Sequence, residues 1–406
     1  MKKMTLIGAI LAVATLSLNC AAECVKSSGT TFMKDAVQKY ADSGELPGAI
    51  SILYNNGVQE VACVGYSDVR SKRKITLDDV FMQCSQTKGF CGVTIAMLVE
   101  EGKITLDDPV SKYLPEFKNL WILDKKGDKE RVLKKAENVL TVRMVMNHTG
   151  GFPFELPGHH AMGGWSRRMP LRSVAATAAA QPILFEPGTK VQYSNVGIDI
   201  GAAIVEVVTG KRWEDFLDER VLCPLGMTAS SFWPTDKQLE TKIELNTIKA
   251  NAPAEWRYSD EAMNRPYNDR FVFSSAGAGL WTTARDQLKF YKMLMNLGVG
   301  DNGVRILKEE TVKNLLAVSS RPKNLGNYSL GLTAPQVDSE DAWFGHGGAW
   351  GTSCSVNWHK KQLKLWVVQI CGNPRPWNKP KSEAEEKFFK ATIDNRDADA
   401  YTGRMK

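Results

Sequence analysis

Hydrophobic positions change their spacing along the chain, and these changes divide it into helical and strand-like stretches. Residues 31–43 repeat apolar positions at helical spacing. Residues 49–54 and 58–66 have the pattern of two strands, and the Asn-Asn-Gly sequence at 55–57 between them is typical of a hairpin turn. Residues 87–101 return to helical spacing, and Gly102 follows as a helix stop. The pattern predicts a helix, a hairpin and then a second, apolar helix that is buried.

The middle of the chain is predicted to be mainly helical, and the last third is predicted to return to strands. Helical spacing recurs at residues 142–147, 172–180, 196–209 and 213–221. Strand-like runs and a final charged helix follow at residues 328–333, 351–358, 363–371 and 382–395. Strands at both ends of a helical middle predict an α/β (α+β) fold, in which an antiparallel sheet is flanked by helices and carries a mainly helical inserted domain. We expect one unit over residues 23–400, with its sheet part at about 25–104 and 280–400 and its helical part at about 105–279.

The first residues have a different pattern, which is typical of a secretory signal peptide. Residues 2–3 are lysines, residues 6–18 form an apolar run, and residues 20–22 are small. The run has about 13 residues, fewer than the roughly 20 that a membrane-spanning helix needs. We therefore predict a signal peptide at residues 1–22, export to the periplasm or the medium, and no transmembrane helix after cleavage. Cys20 leaves a lipid-modified N-terminus open as an alternative.

The composition is that of an ordinary globular protein and argues against several kinds of partner. Of 406 residues, 43% are hydrophobic and 24% are charged, and the net charge is +7. Basic residues at 125–135 are interleaved with acidic ones, which indicates a solvated loop or helix face and no nucleic-acid site. The eight cysteines lack metal-type spacing, and their disulfide pattern cannot be read from the sequence. We expect no metal and no other cofactor, with His148 structural and His159 and His160 in an exposed loop.

A serine and a lysine three residues apart share one face of a helix, so the amine can reach the hydroxyl. The sequence contains three such pairs. The first, Ser71 with Lys74, lies in a polar run, and the third, Ser320 with Lys323, contains a proline that argues against a continuous helix. The second pair opens an apolar helix, where burial would favour an uncharged lysine and the helix N-terminus would bring N–H groups near the serine. That serine could also be a helix N-cap, so the spacing alone leaves both roles open. The three pairs are Ser71 with Lys74, Ser85 with Lys88, and Ser320 with Lys323.

Three further motifs follow Ser85 in a fixed order. They are His-Thr-Gly-Gly at 148–151, Tyr-Ser-Asn at 193–195 and His-Gly-Gly at 346–348. With the Ser-x-x-Lys sequence, they resemble the serine β-lactamase and penicillin-binding protein family, especially its class C-like and esterase branch. Each motif is weak alone, but their order is specific. The resemblance extends from about residue 47 to residue 371 and includes the stretches 106–115, 224–227 and 276–280.

The resemblance implies a role for each matching residue. Ser85 is expected to attack a substrate carbonyl while Lys88 and Tyr193 handle its proton as a pair. Asn195 is expected to orient Lys88 and the carbonyl side chain of the substrate. The backbone N–H groups of Ser85 and Ala349 would form the oxyanion hole.

The His-Gly-Gly motif is expected to lie on the strand that binds substrate. His346, Gly347 and Gly348 stand where penicillin-recognising relatives usually carry Lys-Thr-Gly or a close variant. A histidine with an ordinary pKa of about 6.5 is largely neutral at pH 7, and Gly347 supplies no hydroxyl. Binding of a substrate carboxylate should therefore be weaker than in those relatives.

The function implied is hydrolysis of a small-molecule or peptide ester or amide through an acyl-serine intermediate, most simply by an esterase. A D-alanyl-D-alanine carboxypeptidase or a β-lactamase is one alternative. A catalytically silent binding protein that keeps the pocket is another, because motif residues in order do not prove correct geometry. The natural substrate and the oligomeric state cannot be read from the sequence.

Overall fold

The computed structural model describes most of the chain between residues 31 and 392. The described ranges are 31–126, 130–157, 159–160, 163–164, 168–249, 252–258, 272–314, 326–334, 339–371 and 378–392. The predicted signal peptide and the Ser320–Lys323 pair lie outside them. Within these ranges, every helix is too short or too polar to span a membrane.

Helices occur throughout the described chain, and the two longest in its interior carry the motifs of interest. They are α1 (Thr31–Asp42), α2 (Thr87–Glu100), α3 (Val142–Met146), α4 (Leu171–Ala179), α5 (Asn195–Thr209), α6 (Trp213–Leu217), α7 (Asp236–Leu239), α8 (Ala284–Met295), α9 (Glu309–Thr311) and α10 (Asn378–Thr392).

The strands form one large sheet and several small ones. They are β1 (Gly48–Asn55), β2 (Val58–Asp68), β3 (Arg73–Lys74), β4 (Phe81–Met82), β5 (Trp121–Lys126), β6 (Arg131–Lys135), β7 (His159–His160), β8 (Gly163–Gly164), β9 (Asn246–Lys249), β10 (Ala252–Tyr258), β11 (Trp281–Thr282), β12 (Phe344–Gly347), β13 (Ser353–Asn357), β14 (Gln362–Val367) and β15 (Ile370–Cys371).

The large sheet joins the two ends of the chain. Its six strands run in the order β12-β13-β14-β1-β2-β3, and all neighbours are antiparallel. Ile52 is paired with Leu365 on one side and with Val61 on the other, so β1 is a central strand. An antiparallel sheet flanked by helices was the predicted fold class, and it is confirmed.

Both faces of this sheet are covered because side chains of a strand alternate between its faces. On one face, Leu53 and Trp366 pack with Phe388 of α10 and Val37 of α1. On the other face, Ile52 and its neighbours join the large core that includes α2, α5 and α8. Helix α2 therefore lies inside the protein, as its apolar sequence predicted, and it ends before Gly102, whose φ of 67° is left-handed.

Two predicted elements differ from the structure in the helical part. The basic stretch forms the antiparallel hairpin β5–β6 instead of a loop or helix, because β5 also exchanges backbone hydrogen bonds with Ile183. Its solvation was predicted correctly, since all five side chains of β6 are exposed. His159 and His160 likewise pair with Gly163–Gly164 in a short hairpin and do not form a loop.

Residues 328–333 were predicted as a strand, and this was wrong. Gly331 has a φ of 68°, and hydrogen bonds from Gly331 N–H to Ser329 O and from Ser329 N–H to Leu332 O fold the segment on itself. The loop packs directly on α2, where the carbonyl of Leu330 lies against Gly92. Its pairing with the large sheet is confined to Thr333, which exchanges backbone hydrogen bonds with Gly345 of β12, and its apolar residues pack on α2.

Candidate active site

Ser85 lies on a short 3-10 turn that joins β4 to α2. The residue before it, Cys84, has a left-handed φ of 53°, which is unusual for a residue with a side chain. Gln287 supports the turn from α8 by donating to Gln83 Oε1 at 3.2 Å and Gln86 Oε1 at 2.8 Å. Strained backbone of this kind is often found at functional sites when the surrounding structure holds it in place.

Lys88 is completely buried one turn along α2 and has three polar contacts. Its Nζ donates to Asn195 Oδ1 at 2.6 Å and to the carbonyl of Gly277 at 2.6 Å, and it lies 3.2 Å from Ser85 Oγ. The two carbonyl oxygens can only accept hydrogen bonds. An uncharged amine would use its two N–H groups on them, so its lone pair would face the hydroxyl of Ser85.

The buried environment also changes the acidity of both candidate bases. Burial lowers the pKa of Lys88 to about 7, although the negative charges of Asp199 and Glu155 oppose this change. Burial raises the pKa of Tyr193 well above its ordinary value, despite its hydrogen bond with Ser85. Near neutral pH, Lys88 can therefore be uncharged while Tyr193 keeps its phenol proton.

Asn195 is held in place at the N-terminus of α5. Ser194 caps this helix by accepting from Gly197 N–H at 3.0 Å. Asn195 Nδ2 donates to Glu155 Oε1 at 3.1 Å, which fixes its Oδ1 toward Lys88. A side chain at Gly277 would lie 2.7 Å from Asn195 Cβ, so only glycine allows this segment to approach so closely.

Tyr193 belongs to a cluster of rings beside Ser85. Its ring centre is 4.6 Å from Lys88 Nζ and 4.7 Å from the ring centre of His148. Tyr328 adds a ring 5.5 Å from Tyr193, and Phe154 stacks on Tyr193 at 5.9 Å. Phe154 is 48% exposed, so an apolar aromatic surface opens to solvent next to the candidate nucleophile.

His148, which was expected to be structural, is buried next to this ring cluster. Its ring is buried, and its Nδ1 accepts from Ser194 N–H at 3.3 Å. This contact ties the His-Thr-Gly-Gly segment to the start of α5. Among the residues that the structure describes, no group of histidine, cysteine and carboxylate side chains is arranged to bind a metal ion.

Strand β12 brings His346 to the same site. Its ring centre lies 6.1 Å from that of Tyr193, and its Nδ1 is 2.5 Å from the carbonyl of Gly347. Because a carbonyl only accepts, Nδ1 carries the proton. Burial lowers the pKa of His346 to about 3, with the charge of Lys88 acting in the same direction. His346 is therefore neutral at physiological pH.

The turn after β12 is anchored next to the residue that precedes Ser85. Gly348 N–H donates to Thr352 O at 2.7 Å, and Thr352 Oγ1 donates to Gln83 O at 3.0 Å. The backbone N–H of Ala349 lies beside the Cys84 thiol. The role of Ala349 in an oxyanion hole stays a prediction.

The structure thus brings together Ser85, Lys88, Tyr193, Asn195 and His346 from distant parts of the chain. It also adds Glu155, Asp199 and Gly277, which the sequence analysis did not single out. Asp199 could have been found, because it lies four positions after Asn195 and is the one charged residue in the first eleven positions of α5. Nothing in the sequence pairs Glu155 with Asn195.

Comparisons with known proteins agree with this architecture. The β-lactamase family model matches residues 33–362. An uncharacterized protein of Mycobacterium tuberculosis is 29% identical over 286 residues, which are 68% of this chain and 69% of that protein.

Two solved structures illustrate the similarity of fold. Simvastatin synthase (LovD) from Aspergillus terreus has a TM-score of 0.72 at 18% identity, covering 89% of this chain and 98% of that one. EstCE1, described as a hydrolase with promiscuous acyltransferase activity, has a TM-score of 0.65 at 19% identity, covering 87% of this chain and 97% of that one. The family model spans most of the chain, and the protein therefore belongs to the β-lactamase family.

Proposed function

We propose that this member of the β-lactamase family is an exported serine hydrolase that cleaves uncharged esters through an acyl-serine intermediate. The observation that carries the proposal is the environment of Lys88. Its Nζ is buried, held by two carbonyl oxygens and directed at Ser85 Oγ. A lysine held in this way can accept the serine proton when it is uncharged.

In the proposed acylation step, Ser85 Oγ forms a bond to the ester carbonyl carbon while its proton moves to Lys88 Nζ. The carbonyl oxygen becomes an oxyanion, which the N–H groups of Ser85 and Ala349 would stabilise. When the intermediate collapses, the carbon–oxygen bond to the alcohol breaks and the alcohol leaves with a proton from the Tyr193 hydroxyl, which recovers its proton from Lys88. Water then attacks the acyl-serine and releases the acid.

Three features support uncharged esters over β-lactams and D-alanyl peptides, which carry a carboxylate. Neutral His346 stands where relatives usually have a lysine, so this position adds no positive charge. Glu155 adds a carboxylate next to Asn195, whose amide would otherwise be free to bind the substrate side chain. Phe154 offers apolar surface for an ester acyl group instead.

The test compares kcat/KM for a short-chain nitrophenyl ester, a chromogenic cephalosporin and a D-alanyl-D-alanine peptide on one enzyme preparation. We expect the ester to have the highest kcat/KM. The Glu155→Gln variant should have a several-fold lower ratio of kcat/KM for the ester to kcat/KM for the cephalosporin. Ser85→Ala is the blank for each reaction. A better rate with the cephalosporin or the peptide would replace the esterase proposal with the corresponding alternative.

A neutral fluorophosphonate probe separates an enzyme from a silent binding protein, since only a reactive Ser85 becomes labelled. Export has an independent test. N-terminal sequencing of the mature protein should start near Glu23, and fractionation should find it outside the cytoplasm. An uncleaved cytosolic protein would contradict the signal peptide.

A further inference from the structure

Asp199 is a completely buried carboxylate that the proposed mechanism does not use. It lies one turn after Asn195 on α5 and is 1% exposed. Its Oδ1 accepts from Gly277 N–H at 3.1 Å and from Ser275 Oγ at 3.2 Å. Its Oδ2 is buried and has no hydrogen-bond partner among the described residues. A buried ionised carboxylate is costly, so its presence needs a physical reason.

The contacts of Asp199 lead directly to Lys88. Gly277 donates its N–H to Asp199 and accepts a hydrogen bond from Lys88 Nζ with its carbonyl. The same residue therefore links the carboxylate to the amine. Asp199 fixes the segment that holds one of the two carbonyl acceptors of Lys88.

Asp199 also interacts with Lys88 through charge. Burial raises the pKa of Asp199, whereas Gly277 N–H and the positive charge of protonated Lys88 lower it, so the ionised carboxylate is favoured as long as Lys88 carries its proton. The Asp199 charge in turn favours protonated Lys88. It is the largest of the effects that oppose the lowering of the Lys88 pKa by burial. The titratable groups around this pair come from several elements of the fold: Cys84, Cys91, Glu155, His148, Tyr193 and His346.

Of these neighbours, only Glu155 is another carboxylate, and it is partly exposed and bonded to Asn195. The two histidines are held neutral by burial, which lowers the pKa of each. Burial raises the pKa of both thiols and of Tyr193, so these groups stay protonated near neutral pH. Asp199 is thus the one completely buried carboxylate in this set of neighbours.

We propose that Asp199 is a positioning residue that anchors the Gly277 carbonyl on Lys88 and supplies the buried negative charge that sets the pH at which Lys88 becomes a base. The inference rests on the proposed function and extends it to a residue that does not touch substrate. It separates two contributions of one side chain, namely the hydrogen bonds of Oδ1 and the charge of the carboxylate.

Asp199→Asn removes the charge and keeps an oxygen for Gly277 and Ser275. Without the carboxylate, protonated Lys88 loses its main stabilising charge, so its pKa should fall further. We expect the acidic limb of the kcat/KM profile for the nitrophenyl ester to move about one pH unit lower, with a similar plateau rate. Below the wild-type limb, the variant would then be about tenfold faster than the wild type. A limb that stays in place or moves to higher pH would overturn the proposal.

Asp199→Ala removes the hydrogen bonds as well as the charge. We expect its plateau kcat to fall about tenfold with little change in KM, because Gly277 is no longer held against Lys88 while the substrate contacts remain. A plateau equal to that of the wild type would show that Asp199 does not position this segment, which contradicts the proposal.

Glu214→Gln is the matched control. Glu214 is also buried, accepts from Ser274 Oγ at 2.6 Å and forms an ion pair with Arg212. It contacts the same segment at Ser274 and is not among the charges that act on the pKa of Lys88, so its variant should keep the wild-type pH profile. A shift equal to that of Asp199→Asn would assign the effect to general loosening of the segment and overturn the proposal.

A second measurement separates a change in catalysis from poor folding of a variant. The fraction of active protein is counted by complete labelling with the fluorophosphonate probe, and the pH dependence of the labelling rate is measured without turnover. If the wild type is neither labelled nor active on any ester, the proposed function fails. If it is active but the limb does not shift in Asp199→Asn, only the role of Asp199 fails.

Discussion

Two regions of this protein share a Ser-x-x-Lys sequence and differ in almost every physical respect. Ser71 lies in the short connection from β2 to β3, Lys74 lies on β3, and both are exposed. Ser71 Oγ donates to Asp68 at 2.8 Å, and Lys74 Nζ lies 4.2 Å from the ring centre of Tyr66. The second pair, Ser85 and Lys88, lies at the start of a buried helix.

The comparison is close because each lysine sits over a tyrosine ring. Lys88 Nζ is 4.6 Å from the ring centre of Tyr193, much as Lys74 is placed over Tyr66. Water surrounds the first lysine, so its charge is solvated. Burial instead lowers the pKa of Lys88 to about 7. The spacing of serine, lysine and tyrosine therefore does not create a base, whereas removal of water does.

The largest expected effect comes from the two serines. Ser85→Ala should abolish ester hydrolysis and fluorophosphonate labelling, because it deletes the attacking hydroxyl. Ser71→Ala should leave both unchanged within error. Initial rates and intact-protein mass spectrometry measure the two effects, and turnover by Ser85→Ala would disprove the nucleophile.

The two lysine substitutions should give the next largest difference in kcat/KM. Lys88→Met should lower kcat/KM by roughly 10² to 10⁴-fold, since a buried proton acceptor is lost. Lys74→Met should change it less than twofold. Steady-state kinetics at pH 8 test this, with circular dichroism as the check on folding. Equal rates in the two variants would eliminate the buried lysine as the base.

The tyrosines give a smaller contrast. Tyr193→Phe keeps the ring stacking but removes the hydroxyl that bonds to Ser85, so we expect a loss of about 10²-fold in kcat. Tyr66→Phe is the control and should have wild-type kinetics. Pre-steady-state acylation rates decide the matter, and an unimpaired Tyr193→Phe enzyme would leave Lys88 to handle the proton alone.

The smallest effect concerns packing around the two sites. A Cβ at Gly92 of α2 would lie 1.9 Å from the Leu330 carbonyl, so Gly92→Ala should lower the free energy of unfolding by about 1–3 kcal/mol. Lys72→Ala in the exposed connection should change it by less than about 0.5 kcal/mol. Urea denaturation measures both. A neutral Gly92→Ala would mean that α2 is packed more loosely than the structure shows.

The fold class could be predicted because hydrophobic spacing is a local property. Helical periodicity identified α2 and α5 nearly to the residue, and alternation with an Asn-Gly turn identified β1 and β2. Prediction failed where partners distant in sequence decide the conformation. The hairpin β5–β6 depends on its pairing beside Ile183, and the loop at 328–333 depends on its packing against α2.

Some features of the candidate site could likewise be predicted from the sequence, and others could not. By itself, the sequence indicated that the Lys88 amine can reach the Ser85 hydroxyl, and motif order added Tyr193, Asn195 and His346 as expected members. Only the tertiary structure decided the partners of Lys88, which come from positions 107 and 189 residues away along the chain. It also decided that the Asn195 amide donates to Glu155 and that Gly277 N–H donates to Asp199. The physical reason is that periodicity specifies which side chains share a face, whereas burial, charge and pKa depend on every group that packs against that face.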